Sequence, residues 1–516
     1  MPRFVDRQRE LHELNSLLQR DGAQFVTVYG RRRVGKTTLL LHWVRQANRP
    51  YVYWVARRDT ADASRQDLAR ALWGWAYPDA QAPEPPRFDS WPLLFEQMAR
   101  MVQPRASADR PLILIWDEFP YAVESDPSLP SHLQAAWDHL LKDKPLILML
   151  AGSHIGMMVD LLNYQAPLYG RTTGQFPVEP LPYAALADFF PGYPAAERVA
   201  TYATLGGVPA YLERFDAQQS LSANIRQHLF QRLGLFRSEP AVLISDLVRE
   251  TRNYEATLRA VAMGYHTPAE MAQAIGMTSS NLVPYLRRLR DLGLIERRIP
   301  ATIPPAQRRA TTRSRYYLRD PFLRFYFRFI EPNLEMVEQE LTGLLWERIA
   351  EQFRAFVGAT AFEDLCREWT LTQARAGTLP FAPELVGSHW ATDAQVDVVA
   401  VNWRDRAVLL GECKWAPYGF FRLTSRQAPH TIRTGTPTSG TMITPIQIAT
   451  VTSARTIAPI VSVASSNVCP GFHGVGVGVG VGVGVGVGVG VGVGVISGNS
   501  GSISTVMVEN AARSNR

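Results

Sequence analysis

Cysteine is scarce in this sequence: Cys366, Cys413 and Cys469 are the only three in 516 residues. That excludes a disulfide framework and fits a reducing compartment. The opening MPRFVDRQREL is charged and lacks the apolar core of a signal peptide. One stretch would pass a hydropathy window as membrane-spanning, the eleven Gly-Val pairs from Gly474 to Val495. Glycine at every second position makes a helix there costly, by about 1 kcal/mol per glycine. No membrane association is expected, and a cytoplasmic protein follows. A strong excess of one charge is also missing. Lysine and arginine total 54 against 47 acids, a net of +7. Residues from Gly419 onward hold six Arg and one Glu, so residues 1–418 carry 48 against 46, or +2. Pooled basicity therefore says little about nucleic acid.

What the sequence does have is an ordinary globular composition, 46% hydrophobic and 20% charged, over a length that suggests about three domains. Short β-branched runs alternate with helical patterns through the first 240 residues, as in α/β domains. Gln24 to Tyr29, Tyr51 to Ala56, Leu112 to Trp116 and Leu146 to Ala151 read as strands. Their continuous apolar character suits a parallel sheet covered on both faces.

Gly30-Arg31-Arg32-Arg33-Val34-Gly35-Lys36-Thr37 matches G-x-x-x-x-G-K-[ST] without departure and lies between a predicted strand and a predicted helix. Glycines let backbone amides face phosphates, and the helix N-terminus adds positive potential. Lys36 is expected at the β/γ-phosphates, Thr37 on Mg²⁺ and Thr38 near the α-phosphate. Asp117 and Glu118 close the run LILIW. Asp117 suits support of the magnesium, and Glu118 suits polarisation of the attacking water. Having both acids favours hydrolysis over binding alone.

Taken together, Phe4 to Leu11 (FVDRQREL), the phosphate loop, WDEFP, LAGSHIGMM, Leu168 to Arg171 and the GGVPAYL segment from Gly206 resemble the archaeal-type ATPases of the STAND division of AAA-related NTPases. The resemblance spans about residues 1–415. It implies ATP and Mg²⁺ as cofactors, and Phe4 to Leu11 near the adenine. It also implies Ser153 as a polar sensor near the γ-phosphate, Arg171 as a charge-stabilising or arginine-finger position, and Gly207-Val208-Pro209 in a helical lid. The residues alone leave other readings open: Phe4 as a packing staple, Ser153 as a helix cap, and Arg171 as the partner of a surface acid. Arg31 to Arg33 and Arg171 are compatible with action across the subunits of a homo-oligomer. No protein partner is named by the sequence.

Arg252 to Arg328 holds fourteen Arg against five acids. Within it, Pro268 to Ile275 reads as a helix, Gly276-Met277 as a turn, Thr278-Ser279 as an N-cap and Ser280 to Leu292 as a second helix. Two short strands follow, Leu294 to Ile299 and Ser314 to Leu318. Helix, turn, helix and hairpin make a winged helix. Arg287, Arg288, Arg308, Arg309 and Arg313 are candidates for contact with DNA phosphates. The competing reading is a solvated basic face on a domain used for internal packing.

Further on, Gln395 to Val401 and Val408 to Trp415 read as adjacent strands. Period two puts Glu412 and Lys414 on one face, and Asp397 within reach of it. Two carboxylates with a lysine beside them suit metal-assisted phosphodiester hydrolysis, and Glu363 is positioned to add a carboxylate. YYLRDPFLRFYF, FEDLCREW and GECKW resemble the domain of unknown function that follows these ATPases, itself similar to the PD-(D/E)xK nuclease fold. The strand and helix that should follow Trp415 are replaced by a Thr/Ser-rich and Gly-Val tail, which puts nuclease activity in doubt.

The expected fold is therefore α/β, a P-loop NTPase parallel sheet with a helical lid, a winged helix-turn-helix and a small α/β nuclease-like C-terminal domain. The boundaries are 1–180 for the ATPase core, 181–245 for the lid, 246–320 for the winged helix and 321–418 for the nuclease-like domain. Residues 419–516 read as a disordered or frame-shifted tail. The expected function is an Mg-ATP-driven conformational switch. A DNA-binding regulator and a DNA nuclease are the alternatives.

Overall fold

The computed structural model describes residues 4–78, 84–248, 250–392 and 394–415, with short strands at 461–462, 480–482, 489–495 and 504–510. It divides into two compact units.

The first unit comprises residues 1–189, 207–216 and 235–255. Its helices α1 (Gln8–Leu17), α2 (Lys36–Ala47), α3 (Ala61–Ala76) and α4 (Trp91–Val102) accompany strands β1 (Gln24–Tyr29), β2 (Tyr51–Val55), β3 (Leu112–Asp117), β4 (Leu146–Gly152) and β5 (Gly174–Pro177). The sheet runs β2-β3-β4-β1-β5, and every pairing is parallel. Every residue of β3 and β4 is buried. The cause is visible in the alternation. Leu112, Leu114 and Trp116 pack with α3 and α4, while Ile113, Ile115, Ile147 and Met149 pack with α1 and α2. Both faces of the sheet are covered, as its uninterrupted apolar runs require. The short strand β5 was not among the expected ones. Its sequence GQFP carries no apolar run, and its register against Val26 to Tyr29 is what makes it a strand.

Sheet order positions the site. Because all strands are parallel, the chain leaves β1, β4 and β3 at the same edge, and β4 lies between the other two. Such an edge, at the carboxyl ends of the strands, is where open α/β sheets place their ligands.

The second unit comprises residues 190–206, 217–234 and 256–516. The segment expected as a lid is thus shared between the units. Residues 207–216 go with the first, where Leu181 N donates to Gly207 O at 2.7 Å. Residues 190–206 and 217–234 go with the second, where Tyr193 OH donates to Gln219 O at 2.6 Å and accepts from Asn224 Nδ2 at 2.9 Å.

In the second unit the helix Pro268–Ile275 starts with a reciprocal cap, Thr267 and Glu270 each satisfying the other's backbone. Gly276, at φ 72°, ends it. Thr278 caps the helix Ser279–Asp291, whose Leu282, Leu286 and Leu289 are buried. An antiparallel hairpin of β6 (Ile295–Arg298) and β7 (Arg315–Leu318) follows. Beyond it the helix Glu363–Arg375 accompanies an antiparallel sheet of β8 (Leu385–Trp390), β9 (Gln395–Asn402) and β10 (Ala407–Cys413), extended by the short strand β11 (Val461–Ser462). Strand β8 was not expected. Gly387 and a register shift interrupt its pattern.

The tail anticipated as disordered or frame-shifted lies almost wholly outside the described residues. Its strands Gly480–Gly482, Val489–Val495 and Ser504–Asn510 pair antiparallel. Among the described residues no helix is long and apolar enough to cross a membrane.

Candidate functional site

Gly30 to Gly35 turns between β1 and α2. A side chain at Gly30 would place its Cβ 2.3 Å from Val178 O, so only glycine lets the loop pass there. Arg33 and Gly35 both have positive φ, 67° and 93°, a conformation that costs glycine little and arginine more. The loop wraps the Lys36 ammonium, whose Nζ donates to Gly30 O at 2.9 Å, Arg31 O at 3.2 Å and Ser153 Oγ at 2.9 Å. Burial pulls the Lys36 pKa down to about 8, although Glu118 and Asp117 act to raise it.

At the end of β3, Asp117 is buried and receives three hydrogen bonds. Thr37 Oγ1 donates to its Oδ2 at 2.6 Å, Tyr53 OH to the same oxygen at 2.9 Å and Glu118 N to Oδ1 at 3.0 Å. Burial and the neighbouring Asp117 carboxylate push the Tyr53 phenol well above its usual range, so it stays a donor. Glu118 adopts φ 51°, a left-handed conformation for a non-glycine residue. That turn aims its carboxylate at the end of β4, where it accepts from Ser153 Oγ at 2.8 Å and Ser153 N at 3.3 Å. Ser153 therefore joins Lys36 to Glu118, as the position of β4 between β1 and β3 dictates.

These groups border a cleft of about 280 Å³ lined by Arg32 to Thr38, Phe4, Glu118, Ser153 and Pro209. Phe4 also stacks on His42, with ring centroids 3.7 Å apart. Asp117 is not among the lining residues and is joined to them through Thr37. Of the expected loop residues, Arg31 turns away, donating to Tyr211 OH at 2.7 Å. Tyr211 OH donates in turn to Glu239 Oε1 at 2.7 Å, and Arg33 pairs with the same carboxylate at 2.9 Å. Arg32 pairs with Asp246 at 3.4 Å.

Arg171 is not brought to this cleft. Its guanidinium grips Asp138 through Nε and Nη2 and donates to Pro167 O and Tyr169 O through Nη1. Every nitrogen is engaged, and the acid it holds is the partner that the alternative reading of Arg171 named. Sequence reasoning missed Tyr53 and Glu239, and took in Arg7 only as part of the segment Phe4 to Leu11. The buried Arg7 guanidinium donates to Val34 O at 2.9 Å and pins the loop to α1. No motif marks Tyr53 or Glu239, because each acts through a partner distant in sequence.

In the second unit, the register Val398 opposite Gly411 carries Asp397 opposite Glu412. Asp397 Oδ2 accepts from Cys413 N at 2.9 Å, and Glu412 pairs with Lys414. Burial and the nearby Asp397 charge push the Glu363 pKa up to about 7. Among the described residues no group of three or more His, Cys, Asp or Glu is arranged to hold a metal. Of the expected DNA-contacting residues, Arg287, Arg309 and Arg313 are exposed and Arg288 is half-buried. Arg308 is drawn inward, donating to Pro300 O, Ile303 O and Ile299 O.

The chain matches the model of an ATPase domain predominantly from Archaea over residues 4–215, and that of archaeal and bacterial proteins of unknown function over residues 326–428. It is 31% identical over 413 residues to an uncharacterized protein of Methanocaldococcus jannaschii, covering 80% of this chain and 87% of that one. Among solved structures it resembles a Walker-type ATPase of Pyrococcus abyssi, at 20% identity and a TM-score of 0.46, over 63% of this chain and 96% of that one. It also resembles the Aeropyrum pernix ORC2 protein in its ADPNP–ADP complexes, at 14% identity and a TM-score of 0.40, over 67% and 96%.

Proposed function

The chain belongs to the archaeal-type ATPase family, and on that footing we propose that its first unit hydrolyses ATP with Mg²⁺ and works as a conformational switch for the modules that follow. The observation that carries this is the hydrogen-bonded line from Lys36 through Ser153 to Glu118 beside the Thr37–Asp117 pair, all at one sheet edge. Lys36 is cationic at neutral pH and suits the β/γ-phosphates. Glu118, fixed by two donors from Ser153, is an acceptor able to polarise a water. The Thr37 hydroxyl and the Asp117 carboxylate are adjacent hard oxygen donors that would hold Mg²⁺, which when bound neutralises charge on the phosphate oxygens. Coupling has a physical route in the Arg31–Tyr211–Glu239–Arg33 contacts, which tie the phosphate loop to the helix Leu235–Ser245. Lys36→Ala should abolish steady-state phosphate release, and Glu118→Gln should lower it about 100-fold. Unchanged turnover in both rejects this site.

A second reading takes the helix pair and hairpin at 268–318 as a winged helix that binds DNA, and the β9–β10 carboxylates as a nuclease-like site. One observation favours a cation there. Glu412 Oε2 is buried and has no hydrogen-bond partner among the described residues, although the other oxygen of that carboxylate pairs with Lys414, and Asp397 accepts from the neighbouring Cys413 N. Metal-dependent cleavage of DNA that disappears in Glu412→Ala supports this reading, and an inert wild-type protein counts against it.

A further inference from the structure

We infer that the second unit binds a nucleic-acid backbone in an arginine-lined cleft behind the β6–β7 hairpin, and not on the exposed face of the helix Ser279–Asp291. The cleft has a volume of about 510 Å³, and its walls come from β6, the loop after it, β8 and the helix Glu363–Arg375. Arg297, Arg298, Arg308, Arg319, Arg324 and Arg367 line it, against the carboxylates of Glu296, Asp364 and Glu368. The centre is unusual in its charge. Three guanidiniums converge on Asp364: Arg298 at 2.7 Å, Arg324 at 3.0 Å and Arg367 at 2.5 Å. Their side chains are only 21%, 12% and 13% exposed. Burial would raise the Asp364 pKa, but these three cations outweigh it and hold the acid well below the usual carboxylate range.

One fully ionised carboxylate cannot balance three arginines, which never lose their protons. Glu296 offsets Arg298 and Glu363 reaches Arg367 at 3.4 Å, yet Glu296, Glu363, Asp364 and Glu368 together are four carboxylates against the six arginines of the lining. The cleft wall therefore holds positive charge in excess, in guanidinium forks whose geometry suits phosphate oxygens. Two features favour a polymer over a lone phosphate. Arg309 and Arg313 continue the basic character onto the exposed loop that begins at the cleft with Arg308. At the other side, Arg367 also donates to Asp397 O at 2.9 Å, so a strand leaving the cleft there passes the β9–β10 carboxylates.

The test is fluorescence anisotropy with the full chain, without ATP, using a labelled 30-nucleotide DNA strand and its duplex over a salt series. Arg297 and Arg319 are chosen because they line the cleft beside the Arg298, Arg324 and Arg367 cluster. The double variant Arg297→Glu/Arg319→Glu should weaken binding at least tenfold and flatten the log–log salt slope by about 2. Arg287→Glu should change affinity less than threefold. Circular dichroism and ATP turnover equal to wild type show that the double variant is folded. Should it misfold, Arg297→Gln alone should flatten the slope by about 1. The inference is overturned if wild type binds neither probe at 50 mM salt, if Arg287→Glu carries the loss instead, or if deoxythymidine monophosphate competes as well per phosphate as the 30-mer. None of these outcomes depends on phosphate release by the first unit, so failure here and failure of the ATPase reading are separate.

Discussion

The two units bury positive charge in opposite ways. In the first, a lysine only 5% exposed is surrounded by neutral oxygens, with carboxylates one step further away. In the second, three arginines close directly on one aspartate. A lysine can relieve its burial by a lowered pKa, whereas an arginine cannot, so only the arginines need a carboxylate in contact. The lysine arrangement reserves a cation for a ligand at a cost in stability. The arginine arrangement makes its carboxylate indispensable to the fold around it.

The largest effect should come from removing that carboxylate. Asp364→Asn leaves three mostly buried guanidiniums without their shared counterion and should cost about 3 kcal/mol, read as a lower thermal unfolding midpoint. The sign with pH is defined. A carboxyl held below its unfolded value, near 4, contributes fully above that value and loses its contribution as pH falls toward the folded pKa. The gap between wild type and Asp364→Asn should therefore be full at pH 7 and shrink below about pH 4. A gap that is the same at pH 7 and pH 3 breaks the comparison.

A smaller effect of opposite sign is expected at Lys36. Its folded pKa of about 8 lies below the ordinary 10.5, so its charge opposes folding below about 8, and the penalty fades as pH rises toward 10.5. At about 1.4 kcal/mol per unit, less the lost hydrogen bonds, Lys36→Met should stabilise the protein by about 1–3 kcal/mol at pH 7 while abolishing turnover. A midpoint lower than wild type at pH 7 would show that the lysine is held by its acids in the manner of the arginines.

The smallest effect belongs to Arg171. It and Asp138 are about a third exposed, and pairs of that kind contribute about 1 kcal/mol or less. Arg171→Ala should lower stability by no more than that and leave ATP turnover within threefold. A hundredfold loss would return Arg171 to the transition state.

Legibility in the sequence followed distance along the chain. The loop from Gly30 to Thr37, the acids closing β3 and the cap at Thr278 are made by neighbours, and each was anticipated where it stands; the cap at Thr267, equally local, was not. The strands missed, Gly174–Pro177 and Leu385–Trp390, exist through their pairing and carry little pattern of their own. Tyr53 and Glu239 escaped notice for the same reason: their partners lie 64 and 28 residues away.

Local conformational preference, side-chain periodicity and the hydrogen-bonding needs of helix ends act over a few residues, so the amino-acid order alone established the phosphate loop, its helix and the buried strands. It did not establish that β4 lies between β1 and β3, which puts Ser153 in line with Lys36 and Glu118, nor that Arg298, Arg324 and Arg367 meet at Asp364. Strand order and the convergence of distant charges are settled only when whole faces are buried together, because the energy that selects them belongs to the packed assembly and to no single segment.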